Sequence, residues 1–325
     1  MKILQKSFLV QLFSIIVILF VSGCSSDDTS SEGTLTVSKK LMSVSASDYA
    51  GVPVEINASG NWTAKVSDSW VLLSQSTGEA GTTTLKIYVD NSAMDEAIDS
   101  HEGKVTLSLD DNSEVIEEIT LTHEEENSAD GPLIMVDNGH GVETPGKRSP
   151  DGRLREYSYT RELADRVIKN LQESGINAIR LVPEDSDVPL MDRVSRVNKQ
   201  YSLNNKAILV SIHVNSAGDG SAWMSERGWS VFVNENPDGK SITLATKLAD
   251  VAKSAGIKVR TEEASRNYWV ASRYLLKNIN CPGIMVENWF MDNKEDVDYL
   301  LSENGKITLT RIIVDGVKAY LETEK

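Results

Sequence analysis

Between residues 33 and 123, apolar and polar side chains alternate along the chain at every second position. Such alternation is typical of β-strands that bury one face, and Gly, Asn, Asp and Ser separate the runs as turn residues do. The pattern shows no helical period. It therefore predicts a small all-β sandwich over residues 33–123. Its predicted strands are Thr34–Ser38, Val52–Ile56, Trp62–Val66, Thr84–Val89 and Lys104–Leu109.

From residue 132 the pattern changes to short apolar runs that alternate with amphipathic stretches of helical period. Short apolar runs are typical of buried parallel strands, and their alternation with helices indicates an α/β domain. We predict a mixed, mostly parallel sheet flanked by helices over residues 132–323, after a charged linker at residues 124–131. The predicted strands are Leu133–Val136, Asn177–Val182, Ala207–Val210, Trp229–Val233 and Gly283–Val286. The predicted helices are Arg155–Ser174, Leu190–Leu203, Ser241–Ala255, Tyr268–Asn278 and Asn304–Leu321.

Three of the apolar runs lead into side chains that can do chemistry. His140 follows the first run, His213 the third, and Glu287 directly follows the last. Ligands of open α/β sheets bind outside the carboxyl ends of the strands, so these side chains are expected to meet. Histidine with carboxylate is a zinc ligand set. A single histidine after a strand is more often structural, but two beside Gly or Asn, in a chain with four histidines, favour a metal.

The charge balance argues against some partners. The chain has 33 Lys and Arg against 48 Asp and Glu, a formal net charge of −15. Binding to a phosphate backbone requires clustered Lys and Arg, so no nucleic-acid partner is expected.

The first residues resemble an export signal. Lys2 and Lys6 precede the apolar segment Phe8–Val21, which is too short for a spanning helix, and Cys24 follows in a sequence similar to a bacterial lipobox. We expect a lipoprotein signal peptide at residues 1–23, a lipid anchor on Cys24 and a flexible tether at residues 24–32. The alternatives are an ordinary signal peptide or an uncleaved anchor. The lipobox implies a cell-envelope protein held at the outer membrane, on its periplasmic face or on the cell surface.

The predicted sandwich resembles a BACON domain, an immunoglobulin-like bacterial module often placed ahead of enzymes. The matching segments are Ala58–Trp62, Trp70, Gly78, Tyr88–Asn91 and Gly103–Leu107. The resemblance implies an immunoglobulin-like fold and a glycan as a candidate partner. Trp62 and Trp70 could stack on sugar rings, or they could be core residues of a domain that acts as a spacer. The second alternative is favoured because aromatic side chains in small sandwiches are generally buried.

Residues 132–323 resemble zinc-dependent N-acetylmuramoyl-L-alanine amidases of the Amidase_3 type. The matching motifs, in the family's order, are Val136–Gly141, Glu156, Arg180, Arg193 with Asn198, Ser211–Asn215, and Pro282–Phe290 with Asn293. Two positions depart from the family pattern. Asn138 stands where the family usually has proline, and Val142 replaces a common second glycine. Neither departure removes a residue that could bind the metal.

This resemblance implies that His140, Glu156 and His213 bind one Zn²⁺, with a fourth position left for water. It also implies that Glu287 is the catalytic acid and base. The reaction would be hydrolysis of the amide between N-acetylmuramic acid and L-alanine of the peptidoglycan stem peptide, by a zinc-activated water.

The assigned roles of Glu156 and Glu287 have alternatives. Glu143 and Glu162 lie near Glu156 in the sequence and are alternative carboxylates, and an acid in a first helical turn can simply complement the helix dipole. Glu287 could be a buried, paired structural carboxylate, but the apolar run before it makes an idle charge costly.

Four further residues are candidates for supporting roles. Arg180 and Arg193 could contact the acidic stem peptide or could fix loops by pairing with Asp185, Asp187 or Asp192, and the second role is favoured. Asn215 and Asn288 could orient the groups that bind the metal.

The segment from Ser216 to Arg227 is rich in Gly and Ser and is predicted to form a mobile lip over the zinc. It is too short and too glycine-rich for a stable blocking helix, so we expect an open site that needs no activator. Two other functions remain as alternatives. One is a zinc hydrolase that acts on another amide substrate, and the other is a glycan-binding surface lipoprotein without activity.

Overall fold

The structure is a computed structural model that describes residues 33–44, 51–90, 93, 100–124, 131–261, 263 and 265–325. The expected signal peptide, Cys24, the tether and most of the expected linker lie outside these residues. Within the described ranges, no helix combines the length and the apolar content that crossing a membrane requires.

Residues 33–124 form two β-sheets, which we call the all-β part. The strands are β1 (Leu35–Val37), β2 (Leu41–Ser43), β3 (Val52–Ala58), β4 (Trp62–Val66), β5 (Val71–Leu73), β6 (Thr77–Gly78), β7 (Gly81–Val89), β8 (Ser100–Leu109) and β9 (Ile116–Glu124). One sheet has the order β1-β3-β7-β5 and the other β2-β9-β8-β4-β6. Their apolar faces share one core. Trp62 and Trp70 are buried in it, so neither can serve as an exposed platform for sugars.

Residues 131–325, the α/β part, form a six-stranded sheet flanked by helices. Its strands are β10 (Leu133–Asn138), β11 (Asn177–Arg180), β12 (Ile208–Asn215), β13 (Ser230–Val233), β14 (Trp269–Val270) and β15 (Gly283–Phe290). Its helices are α1 (Glu156–Glu173), α2 (Leu190–Leu203), α3 (Gly239–Ser254), α4 (Tyr274–Asn278), α5 (Lys294–Leu301) and α6 (Glu303–Leu321). The strand order is β11-β10-β12-β15-β13-β14. Strands β11, β10, β12 and β15 are parallel, and β13 joins β15 antiparallel.

The helices cover both faces of this sheet. Apolar side chains of α1, α3 and α6 pack with one face of the strands in a single core, and those of α2 and α4 pack on the other face. Strands buried on both faces carry near-continuous apolar runs, which explains the pattern of the sequence.

Two expectations need correction. The helix predicted at Tyr268–Asn278 is wrong in its first half, which forms β14 before α4 begins. Pairing with β13 accounts for this, because the Trp269 ring stacks on Phe232 at 5.8 Å and its indole N–H donates to the Arg260 carbonyl. Strand β9 also extends through Glu124, one residue into the predicted linker.

The carboxyl ends of β10, β12 and β15 lie side by side. His213 on β12 stands in register with Glu287 on β15, and the pairing then shifts between His213 and Asn215. Trp289 takes a φ of +57° within this irregular stretch. This edge of the sheet carries the chemically active side chains.

Candidate active site

His140, Glu156 and His213 come together at this edge. Each offers one ligand atom, and the three atoms lie within 4.8 Å of one another. His140 Nε2 is 3.4 Å from Glu156 Oε2, and His213 Nδ1 is 3.2 Å from Glu156 Oε1. The two imidazole rings are 5.1 Å apart and nearly perpendicular. In the described part of the chain this is the one group of three or more such side chains that could hold a metal ion.

His140 sits in a turn just after β10, and this turn requires unusual backbone. The φ of His140 is +65°, a conformation that a residue with a side chain adopts only when its surroundings enforce it. The glycines on either side are needed for close packing. A Cβ at Gly139 would overlap the His213 ring, and a Cβ at Gly141 would overlap the backbone of Asp187.

Glu156 is the first residue of α1, and its side chain is almost fully buried between the two histidines. Its Oε1 accepts a hydrogen bond from Val214 N at 2.9 Å. Its Oε2 has no hydrogen-bond partner among the described residues. The two alternative carboxylates are engaged elsewhere, since Glu143 accepts from Asp187 N and Glu162 pairs with Lys306.

The electrostatics of these three residues suit a cation between them. Burial lowers the pKa of His140 to about 4, which keeps its imidazole neutral and its lone pair free at neutral pH. Burial also opposes ionisation of His213 and Glu156, but their mutual attraction outweighs it. The pKa of His213 is therefore raised and that of Glu156 lowered. A buried carboxylate with one unpaired oxygen beside two imidazoles fits Zn²⁺, which binds nitrogen and oxygen ligands in this combination.

Glu287 lies within β15, in register with His213, beside the cluster rather than within it. The side chain is buried, and its Oε2 lacks a hydrogen-bond partner in the described residues. Burial raises the pKa of Glu287 to about 7, with His213 opposing this shift and Glu156 adding to it. A carboxyl group that titrates near neutral pH can both accept and donate a proton, which is what general acid–base chemistry requires.

Both candidate arginines are occupied within the protein. Arg193 donates to Asp137 Oδ1 at 2.7 Å and to the Asn138 carbonyl at 2.8 Å. Arg180 donates to Asn138 Oδ1 at 3.3 Å and forms an ion pair with Asp165. Arg193 also pairs with Asp187 at 3.6 Å, one of the partners considered in the sequence, while Asp137 and Asp165 were not among them. These contacts favour the loop-fixing role.

The two candidate asparagines form hydrogen bonds to backbone groups near the site. Asn288 is fully buried, its Nδ2 donates to the His213 carbonyl at 3.0 Å, and its Oδ1 accepts from the Trp229 indole at 3.1 Å. Asn215 accepts from Ser216 N at 2.8 Å and so caps the start of the following loop. Asn288 therefore helps to hold the strand that carries His213.

Sequence reasoning missed two residues of α1 that support the site. Thr160 Oγ1 donates to the Gly139 carbonyl at 3.0 Å, and Arg161 Nη1 donates to the His140 carbonyl at 3.0 Å. Thr160 is four residues after Glu156, on the same face of the helix, and this spacing could have identified it. No pattern in the sequence marks Arg161.

The loop over residues 216–227, all of which are described, contains no helix. Asp292, just after β15, holds its start, since the Asp292 carboxylate accepts from Ser216 Oγ and from the backbone N–H of Ala217 and Gly218. Trp223 and Met224 on this loop are partly exposed. These hydrogen bonds hold the first residues of the loop in place, and the expectation of a mobile lip over the zinc stays a prediction.

Comparisons with known proteins agree with this geometry. A family model described as N-acetylmuramoyl-L-alanine amidase (Amidase_3) matches residues 134–319. The amidase AmiC of Neisseria meningitidis is 26% identical over 226 residues, which cover 59% of this chain and 53% of that protein. The chain thus spans about half the length of this relative. A germination-specific N-acetylmuramoyl-L-alanine amidase of Bacillus subtilis is 25% identical over 209 residues, covering 60% of this chain and 81% of the relative.

Solved structures share the fold of the α/β part. An N-acetylmuramoyl-L-alanine amidase from Clostridium difficile 630 aligns with a TM-score of 0.53 at 22% identity, covering 61% of this chain and 100% of that one. AmiC2 of Nostoc punctiforme aligns with a TM-score of 0.50 at 25% identity, covering 60% and 99%. Because the family model spans more than half of the sequence, the chain belongs to the Amidase_3 family of N-acetylmuramoyl-L-alanine amidases.

Proposed function

We propose that this protein is a peptidoglycan hydrolase that cleaves the amide between N-acetylmuramic acid and L-alanine of the stem peptide. The observation that carries the proposal is the cluster of His140, Glu156 and His213 beside the buried Glu287. The names of the relatives and membership of the family point to the same bond.

His140, Glu156 and His213 would hold one Zn²⁺. The unpaired, buried Oε2 of Glu156 and the neutral His140 imidazole support this assignment, since each offers a lone pair that the protein leaves unused. When bound, zinc supplies a Lewis acid that lowers the pKa of a water molecule and polarises a carbonyl group.

Glu287 moves the protons. Its carboxylate accepts a proton from the attacking water and then donates it to the amine of L-alanine as that group leaves. The raised pKa of about 7 suits both steps, because both protonation states are then accessible near neutral pH. Asn288 keeps the neighbouring β12 backbone at a fixed distance from Glu287 through its bond to the His213 carbonyl.

Glu287→Gln tests this proposal, because it keeps the shape of the side chain and removes its acid–base function. We expect release of muropeptides from purified sacculi to fall by about 10²–10⁴-fold. Zinc content, measured by atomic emission, should stay at the wild-type level because Glu287 is not among the three ligands. Glu226→Gln, an exposed glutamate on the loop over the site, is the matched control and should retain full activity.

The released products distinguish the alternatives. Wild-type protein that binds zinc and cleaves a different amide supports the zinc hydrolase of another substrate. Wild-type protein that binds sacculi or glycans without releasing any product supports the glycan-binding lipoprotein. Cleavage that begins only after a partner protein is added contradicts an open site.

We also propose that the protein is attached to the outer membrane by lipid on Cys24, and that the all-β part is an immunoglobulin-like BACON module with a glycan as its candidate ligand. The lipobox-like sequence and the matching segments of residues 58–107 support this. Mass spectrometry of the mature N-terminus tests the lipid anchor. Protease treatment of intact cells distinguishes the cell surface from the periplasm, and glycan binding by the full chain tests the partner.

A further inference from the structure

Tyr88 on β7 is buried although it faces away from the core of the all-β part. Leu85 and Ile87 point into that core, so the alternation of the strand places Tyr88 on the opposite face, with Thr84 and Lys86. Thr84 is exposed and Lys86 is partly exposed, whereas Tyr88 is only 9% exposed. Gly51 of the all-β part lies against this ring, since a Cβ built there would be 2.7 Å from it, so part of the burial comes from within the all-β part.

Charged side chains of the α/β part also lie near the Tyr88 phenol. Burial raises the pKa of the Tyr88 phenol to about 12, and four charged side chains of the α/β part act on it, namely Arg180, Asp165, Asp185 and Arg161. A hydrogen bond joins the two parts directly, since Asp185 N donates to the carbonyl of Ser74, the residue after β5. Asp90, at the end of β7, acts on Arg196 of α2.

The segment that bonds to Ser74 is the loop between β11 and α2, residues 181–189, which also supports the candidate metal site. Its Asp185 carbonyl accepts from Val142 N at 2.8 Å, and its Asp187 N donates to Glu143 Oε2 at 3.0 Å. Gly141 packs so tightly against Asp187 that no side chain fits between them. One residue, Asp185, therefore contacts the all-β part through its N–H and the turn after His140 through its carbonyl.

Arg161 completes the connection. Its guanidinium group donates twice to the Glu184 carbonyl in the same loop, at 3.1 and 2.5 Å, and once to the His140 carbonyl at 3.0 Å. His140 needs such support because its positive φ is a conformation of higher energy. The loop at residues 181–189 thus links Ser74, at the end of the strand that pairs with Tyr88, to the backbone of His140.

We propose that the all-β part positions His140 for metal binding, through the loop at residues 181–189, and that Tyr88 is a positioning residue of the amidase site. This inference rests on the proposed function for its catalytic meaning. Its physical basis is preorganisation. A side chain that is already held in its binding position loses little conformational freedom when the metal binds, so little affinity is lost. Changes in the groups that support a metal ligand typically weaken metal binding by 10–100-fold.

The test measures metal affinity on the full chain without any substrate. We expect Tyr88→Ala to raise the zinc dissociation constant by about tenfold, as measured by competition with a chromogenic chelator. The absorption spectrum of the Co²⁺-loaded variant should also change, because that spectrum reports ligand geometry. Tyr88→Phe keeps the ring and should behave like the wild type. Thr84→Ala, on the same face of β7 but exposed, is the matched control and should change neither quantity.

The proposal is overturned if Tyr88→Ala lowers the unfolding temperature but leaves the zinc dissociation constant and the cobalt spectrum as in the wild type. If Tyr88→Ala does not fold, Tyr88→Leu takes its place, with hydrogen exchange of the peptide covering residues 139–144 as the readout. Faster exchange supports the proposal and unchanged exchange contradicts it. Failure of the proposed function would show as intact metal binding without muropeptide release, which is a different result.

Discussion

Single residues at this site are constrained by how closely backbone and side chain approach each other. Gly139 has no room for a Cβ because the His213 ring occupies that space. The two histidines can share one cation only if the turn that carries His140 passes directly against His213. Gly139 and the positive φ of His140 are therefore both needed to bring the His140 and His213 imidazoles close together.

Gly139→Ala should abolish stoichiometric zinc binding, because the added methyl group pushes the His213 ring away from Glu156. The cost in stability should be about 1–3 kcal/mol, as for other overpacked sites. Zinc content after dialysis and the unfolding temperature measure the two effects. Gly239→Ala is the control, since among the described residues no atom lies within 4 Å of a Cβ built there. A Gly139→Ala protein that retains one zinc per chain would show that the ring can move without loss of the site.

The sequence predicted part of this site for a physical reason. His140, His213 and Glu287 were identifiable because each follows an apolar run, and parallel strands bring their carboxyl ends to one edge. Glu156 needed the family resemblance, since its place at the head of α1 looks like ordinary dipole compensation. Arg161 could not be found, because its role depends on two carbonyl groups, of His140 and Glu184, that only the folded chain brings together.

At the level of elements, a buried ion pair fastens α2 to β10. Arg193 and Asp137 are both nearly inaccessible, and Ser211 Oγ also donates to the Asp137 carboxylate. Burial would raise the pKa of Asp137, but the charges of Arg193 and His213 and the hydrogen bonds from Ser211 and Arg193 together hold it below its usual range. This pair therefore stabilises the fold only while Asp137 is ionised.

Arg193→Met should destabilise the metal-free protein by about 3–5 kcal/mol, because it leaves a buried carboxylate without its partner. The sign of the pH effect follows from the lowered pKa. In the wild type the stabilisation is complete above the unfolded pKa of about 4 and is lost as the pH falls through the lower folded pKa. The variant should lose less stability between pH 5 and pH 3, measured by urea denaturation. Lys169→Met, which removes an exposed pair with Glu173, should cost under about 1 kcal/mol.

Helices and strands with a clear hydrophobic period in the sequence were predictable. Strands that exist only because they pair with a neighbouring strand were not. The helix at Leu190–Leu203 and the strand at Trp62–Val66 agree with the structure to the residue. Strands β5, β6 and β14 have only two or three residues, too few for any period, and they exist because a neighbouring strand offers hydrogen bonds. The antiparallel direction of β13 likewise depends on its pairing with β15.

On the scale of the whole molecule, the metal site joins elements that are far apart in the sequence. His140 follows β10, Glu156 begins α1 and His213 lies on β12, so the three groups meet only when the α/β part is folded. An unfolded chain offers no such site. Metal binding must therefore stabilise the folded protein by an amount set by the affinity and by the free metal concentration.

Zinc at about 100 times its dissociation constant should stabilise the protein by about 2.7 kcal/mol. For an α/β part of this size, that corresponds to an increase in unfolding temperature of roughly 5–10 °C. Calorimetry after treatment with a chelator, and again after zinc is restored, measures the difference. His213→Ala removes one ligand and should show almost no zinc-dependent change. An equal increase in both proteins would mean that zinc binds elsewhere, and then the cluster at the strand ends could not be the site that the family resemblance implies.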